Sequence, residues 1–281
     1  MIEIRTLKNI PYTDIVNVFN LSFSDYFVPV KLTLEQFEAK LENENIRLDY
    51  SVGAFSDDKL IGLILHFYND SNKTKKVYNG GTGVIKEYRG QNLTIKMYEF
   101  ILSILKEDKI DFIELEALVE NTQAIKSYEK VGFEKVRQLK CFSGEIKSSL
   151  KNDNILIKPL SFYNWNKNQS FWDIEPTWQN SSFVLDKILK TNISYGAFIE
   201  NDLVGYIIFN PITKRIQQIS VDKNYRRKGI GTSLIFEIQK QFNESISIIN
   251  VDDKSKETIS FLENIGLKNT TNQFDFKLRL K

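Results

Sequence analysis

Three cations followed by two glycines one residue apart stand at the mouth of an apolar run in DKNYRRKGIGTSL (222–234). This passage suits a phosphate. A helix N-terminus offers up to about four unpaired backbone N–H groups and about half a positive charge. Gly229 and Gly231 let the main chain curl where a Cβ would intrude. Arg226, Arg227 and Lys228 can add charge-assisted hydrogen bonds of roughly 1.5–3 kcal/mol each. A basic helix start whose glycines serve only a turn is the plainer reading of the same residues. Neither GxxxxGK[ST] nor GxGxxG is present, so the loop is not a Walker loop or a dinucleotide fingerprint.

The elements that hold this loop are written twice. YSVGAFSDDKLIGLIL (50–65) matches ISYGAFIENDLVGYII (193–208), and IKEYRGQNLT (85–94) matches VDKNYRRKGIGT (221–232). YEKVGF (128–133) matches LENIGL (262–267), and the openings IEIRTL (2–7) and ILIKPL (155–160) agree as well. Four anchors in one order read as a tandem duplication. The expected domains are 1–147 and 148–281, joined through the polar segment SGEIKSSLKNDN (143–154). Hydrophobic spacing predicts βααβββαβαβ in each copy, an α/β fold with a mixed sheet. In the first copy the helices fall at 11–27, around 34–41, at 93–107 and after Asn121. A hairpin turns at SDDK (56–59), and strands cover about 75–86 and 110–119. In the second copy the central helix is expected at 232–242 and the strand after it at 246–251.

Bulk properties narrow the class. The 281 residues carry 38 Lys+Arg against 36 Asp+Glu, a net charge of +2 that argues against nucleic-acid or membrane partners. The start MIEIRTL is unlike a signal peptide, and no stretch approaches the ~18 apolar residues of a span. One cysteine, Cys141, and one histidine, His66, supply no disulfide and no Cys/His metal centre, which fits a reducing cytoplasm. The two lie on different predicted strands with no third member and read as structural.

Arg226-x-x-Gly229-x-Gly231 resembles the (Q/R)xxG-x-(G/A) pyrophosphate loop of the GNAT superfamily of N-acetyltransferases. VENTQAIKSYEKVGF (119–133) is similar to that family's second signature. The resemblance covers nearly the whole chain as two copies. It implies acetyl-CoA as acyl donor, no metal, and a pantetheine arm between the fourth and fifth strands, which splay apart. It implies donor contacts from Val84, Ile85, Arg89, Gly90, Gln91, Asn92, Leu93, Thr94 and Asn121 in the first copy. In the second copy the corresponding residues are Ile219, Val221, Arg226, Arg227, Lys228, Gly229, Ile230, Gly231 and Thr232.

The copies differ in complementary ways. The first has Asn92 and Thr94 where the loop pattern has glycines, yet keeps Asn121 and Tyr128, the latter standing where the family's general acid protonates the thiolate. Asn121 also reads as a helix N-cap, and Tyr128 as a core ring. The second has the full loop but Ser255 and Leu262 at those two places. This points to the first copy as the catalyst, with Tyr128 as acid and Glu116, beside Glu114 on one strand face, as base. A solvated strand face is the plainer reading of both carboxylates. NGGTG (79–83) marks close approach of a ligand or a bulge. Trp165, Trp172 and Trp178 form an aromatic cluster that could hold a cationic or apolar acceptor or pack against the other copy. The implied reaction is direct attack of a small-molecule or peptide primary amine on the acetyl group, by a monomer or homodimer. A non-catalytic acyl-CoA-binding module and an aminoacyl-tRNA-dependent transferase of the same doubled fold are the alternatives.

Overall fold

The computed structural model describes every residue except 71–73, 148–151, 153 and 243, so part of the predicted join lies outside the described residues. The chain divides into two compact units. One comprises Met1–Val136 with Asp275–Lys281, the other Arg137–Phe274.

The first unit runs β1 (Ile2–Thr6), α1 (Tyr12–Ser22), α2 (Leu34–Asn43), β2 (Val52–Ser56), β3 (Lys59–Asn69), β4 (Lys76–Val84), α3 (Leu93–Glu107), β5 (Phe112–Leu118) and α4 (Thr122–Val131). The chain then passes through β6 (Glu134–Gly144) into the second unit: β7 (Leu156–Pro159), α5 (Trp165–Asn168), α6 (Ser182–Lys187), β8 (Ile193–Ile199), β9 (Asp202–Asn210), β10 (Arg215–Val221), α7 (Ile230–Gln239), β11 (Ile246–Asp252), α8 (Lys256–Asn264) and β12 (Lys268–Arg279). The predicted element order holds in both copies. The helix expected at 11–27 ends at Ser22.

The units differ from the halves read in the sequence at their last strands. Strand order in the first unit is β1-β2-β3-β4-β5-β12, and in the second β6-β11-β10-β9-β8-β7. Each copy's sixth strand therefore lies beside the fifth strand of the other copy. Sequence periodicity cannot reveal this, because either strand satisfies the same edge.

The duplication extends to backbone irregularities. Both first hairpins turn through two residues in the left-handed region, Asp57 and Asp58 (φ 48 and 63) and Glu200 and Asn201 (φ 50 and 70), as a type I′ turn requires. Each has a register shift just before its phenylalanine, Ala54/Phe55 and Ala197/Phe198. A second shift skips Gly80 in β4 and Gln217 in β10. The central helices pack one apolar face on the sheet, through Leu93, Met97, Ile101 and Leu105 in α3 and Ile230, Leu234, Ile235 and Ile238 in α7. Full burial of each such side chain contributes roughly 1.5–3 kcal/mol.

Two strands part in each unit. β4 and β5 pair only from Lys76↔Phe112 to Tyr78↔Glu114, and β10 and β11 only at Arg215↔Ser247 and Ile216↔Ile248. Beyond those points the facing main-chain groups have no ladder partner on the other strand.

Candidate active site

The two loops share one backbone shape built from different residues. Gly90 (φ 78) and Asn92 (φ 57) take the left-handed region in the first, Arg227 (φ 62) and Gly229 (φ 78) in the second. Asn92 tolerates this conformation better than most residues do. Asn92 and Gly229 are the N-caps of α3 and α7, and neither helix start receives a side-chain cap. Its first-turn N–H groups therefore point outward without a capping side chain.

The motif arginines do a different task from the one expected. Arg89 donates Nε to Val84 O (3.0 Å), Nη2 to Ser22 O (3.0 Å), and both Nη atoms to Asp25 (2.8 Å each). Arg226 repeats the pattern with Val221 O (3.2 Å), Phe171 O (3.2 Å), Asp173 (2.9 Å) and Glu257 (2.9 Å). Four of a guanidinium's five N–H donors are thus engaged in each case, and both arginines clasp the loop to the segment after the first helix position. The Arg89 hydrogen bond holds the Asp25 carboxyl below the usual carboxylate range. Lys228 also turns away, its Nζ 4.7 Å from the Tyr225 ring centre. Arg227 is the loop cation left for a ligand: it makes no ion pair among the described residues.

A cavity of about 460 Å³ opens in front of the second loop. It gathers Ile219, Val221, Arg226, Arg227, Gly229, Ile230, Gly231 and Thr232, which is every residue expected in this copy except Lys228. The opposite wall is α8 and its end: Glu257, Thr258, Phe261, Asn264 and Ile265, with Lys147 beyond. Sequence reading missed this wall, although the spacing of those residues already put them on one helix face. A Cβ on Gly231 would lie 3.1–3.2 Å from the Phe261 ring, so this glycine makes room for the ring that lines the cavity.

A smaller cavity, about 130 Å³, shares Asp173, Ile219, Ser220 and Thr258 with the first and lies across the parting of β10 and β11. Trp172 donates Nε1 to the Tyr206 hydroxyl (2.6 Å), which donates to Gln218 Oε1 (2.6 Å), while Gln218 Nε2 donates to Asn180 O (2.5 Å). Burial raises the Tyr206 pKa. Arg137 Nη1 donates to Asp252 Oδ2 (3.4 Å) and Glu175 O (3.0 Å) at the same cavity. Of the tryptophans, Trp172 lines this cavity, Trp165 stacks near Tyr163 and Trp172, and Trp178 is buried against Phe183.

In the first unit the expected groups form a buried network. Asn79 Nδ2 donates to the Tyr98 hydroxyl (2.6 Å) and Thr82 Oγ1 (2.7 Å), and the Tyr128 ring stands edge-on to Tyr98. Tyr128 is 7% exposed and packs edge-on to Phe133, and burial pushes its pKa up to about 12. By strand register and loop offset, the counterparts of Asn79, Thr82, Tyr98 and Tyr128 are Ile216, Ile219, Ile235 and Leu262. The whole polar network is thus replaced by an aliphatic one. Asn121 caps α4 by accepting from Ala124 N (3.2 Å). Glu116 accepts from the Tyr78 hydroxyl, and Glu114 pairs with Lys277 (3.2 Å) and Lys76 (3.8 Å). The glycines of NGGTG answer to packing. A Cβ on Gly80 would meet Phe67 at 2.2 Å, on Gly81 Phe19 at 2.9 Å, and on Gly83 Ser22 at 2.5 Å. Of the other first-loop residues, Ile85 bonds Ile61 O (3.0 Å) and Leu93 is buried in the core, while Gln91 and Thr94 flank the start of α3.

Among the described residues no helix is long and apolar enough to cross a membrane, and no cluster of three or more His, Cys, Asp or Glu could hold a metal ion.

Comparison with known proteins agrees with this architecture. The acetyltransferase (GNAT) family model matches twice, at residues 14–133 and 160–267. A stretch of 92 residues is 29% identical to N-alpha-acetyltransferase 30 of Schizosaccharomyces pombe, covering 32% of this chain and 61% of that relative's length. A tandem GNAT protein from the clavulanic acid biosynthesis pathway superposes with a TM-score of 0.75 at 8% identity, over 100% of this chain and 99% of that one. A GCN5-related N-acetyltransferase from Sphaerobacter thermophilus gives 0.72 at 12% identity, over 100% and 96%. These structural likenesses concern the fold. With two family matches that together span most of its length, the chain belongs to the GNAT acetyltransferase family as a tandem member.

Proposed function

We propose that the chain is an acetyl-CoA-dependent N-acetyltransferase acting on a primary amine, and that donor and acceptor meet in the second unit. The larger cavity carries this reading: it joins an uncapped helix start to the parting of β10 and β11. Its volume of about 460 Å³ lies within the roughly 300–1,000 Å³ of cofactor sites. The first-turn N–H groups of α7, with Arg227, would hold the pyrophosphate, and Ile219, Val221 and Phe261 the apolar arm. When bound, acetyl-CoA supplies an acetyl thioester. Main-chain N–H groups of β10 beyond Ile216, unpaired with β11, face the place where a carbonyl oxygen would gain charge. Leu262 has no proton to give. A thiol with an ordinary pKa near ~8.5 is a tolerable leaving group, so the missing acid slows transfer by about 10²–10⁴-fold without preventing it. Ile249, the counterpart of Glu116 by strand register, cannot serve as base, and the amine's surplus proton leaves to solvent through the open side of the smaller cavity.

A second reading keeps transfer in the first unit, with Tyr128 as acid and Glu116 as base. Tyr128, buried edge-on to Tyr98 whose hydroxyl takes the Asn79 amide beyond the point where β4 and β5 part, favours it. Calorimetric titration of acetyl-CoA into wild type, Asn92→Arg and Gly229→Arg separates the two. Binding kept in Asn92→Arg and lost in Gly229→Arg is expected. The opposite pattern moves the site to the first unit, and no heat in wild type removes the acetyltransferase reading.

A further inference from the structure

The smaller cavity has more to say about the acceptor than its position does. Four charged residues line it: Arg137, Asp173, Glu175 and Asp252. Three are already matched. Arg137 and Asp252 pair at 3.4 Å, and Asp252 Oδ1 also accepts from Lys254 N (2.9 Å). Asp173 pairs with Arg226 at 2.9 Å and Lys223 at 3.6 Å. The Glu175 carboxylate has no cationic partner among the described residues, and it stands exposed at the mouth. The cavity is therefore left with one negative charge.

Deeper in, Asn180 is 5% exposed, and its Oδ1 is buried with no hydrogen-bond partner among the described residues. Its Nδ2 donates to Ile249 O (3.4 Å) and its own carbonyl accepts from Gln218, which places it over β10 and β11 just past their last paired residues. An unmatched buried acceptor costs roughly 1–3 kcal/mol, and it is satisfied only by a group that brings an N–H or O–H.

We infer that the acceptor is a small diamine, a primary amine that carries a second positive charge. The inference rests on the acetyltransferase reading of this unit. The reacting nitrogen must shed its proton before it attacks, so it cannot neutralise Glu175 during transfer. A distal ammonium can. Asn180 Oδ1 accepts an N–H from the reacting amine at the strand parting, and Glu175 holds the far cation at the mouth. A carboxylate-bearing amine would instead set like charges together.

The test uses the full chain with acetyl-CoA and three amines of similar length: putrescine, n-butylamine and γ-aminobutyrate. Putrescine is expected to exceed n-butylamine in kcat/KM by about fivefold to tenfold, with γ-aminobutyrate the poorest. Glu175→Gln, on an exposed segment, should bring putrescine down to the n-butylamine level while acetyl-CoA affinity stays unchanged. Asn180→Leu should raise KM for both, and a thermal melt checks its fold. A preference for γ-aminobutyrate, or a putrescine advantage that survives Glu175→Gln, overturns the inference. Putrescine is also titrated calorimetrically without donor. Heat that vanishes in Glu175→Gln supports the diamine site even if acetyl-CoA fails to bind. Heat unchanged in that variant, or no heat in wild type, counts against it even if acetyl-CoA binds.

Discussion

Gly231 and Phe261 share a single allotment of space: a Cβ on the glycine would lie 3.1 Å from the ring's Cζ. The corresponding first-copy positions hold Thr94 and Ser127, a larger residue for the glycine and a smaller one for the ring. Gly231→Thr should therefore destabilise the second unit by about 1–3 kcal/mol through overpacking. Adding Phe261→Ser should recover much of that loss. Chemical denaturation of the two variants measures both, and additive losses would show that the pair is not coupled.

The shared loop backbone gives a second expectation. Gly229→Ala places a Cβ in the left-handed region and should cost about 1 kcal/mol, whereas Gly229→Asn, the residue of the first copy, should cost less. Arg227→Gly should relieve backbone strain of about 1 kcal/mol or more and yet weaken acetyl-CoA binding. Melting and calorimetry on the same samples would report stability rising as affinity falls.

Tyr128→Phe distinguishes the two units. With transfer in the second unit, turnover should change less than about twofold, and stability by no more than about 1 kcal/mol for the loss of one buried hydroxyl. A fall of about 10²–10⁴-fold in kcat would instead make Tyr128 the acid.

His66 makes the first unit sensitive to acid. Its ring is wholly buried, Nδ1 donates to Tyr50 O (2.7 Å), Nε2 has no partner among the described residues, and burial lowers its pKa to about 4. The unfolded chain takes up the proton near pH ~6.5 and the folded one only near 4. Stability is therefore full above about pH 6.5 and falls as pH drops towards 4, by about 3 kcal/mol over that window. His66→Phe, which installs the residue found at the equivalent Phe209, should flatten the dependence in pH-resolved urea melts.

Much of this was legible beforehand. Repeated anchors and hydrophobic spacing located nearly every element, because amphipathic periods and turn residues act locally. The second loop's cavity residues were legible through the resemblance of RRKGIG to the GNAT loop pattern, which is local in sequence. The arginine clasps were not, since Asp25 and Asp173 lie far from Arg89 and Arg226 in sequence and nothing in RGQN or RRKG specifies a partner. Nor was the coordinated loss of Asn79, Thr82, Tyr98 and Tyr128, whose contact depends on three separate elements. Asn180 and Glu175 drew no notice because an aromatic-rich segment masks polar residues whose importance comes from burial or from an unmatched charge.

The crossing of the last strands bears on how the molecule is made. Residues 275–281 complete the first unit, yet they leave the ribosome after the whole of the second has been synthesised. Domains released early usually fold early. Here the unit that emerges first must wait, with the open edge of β5 exposed, until translation has passed through its twin.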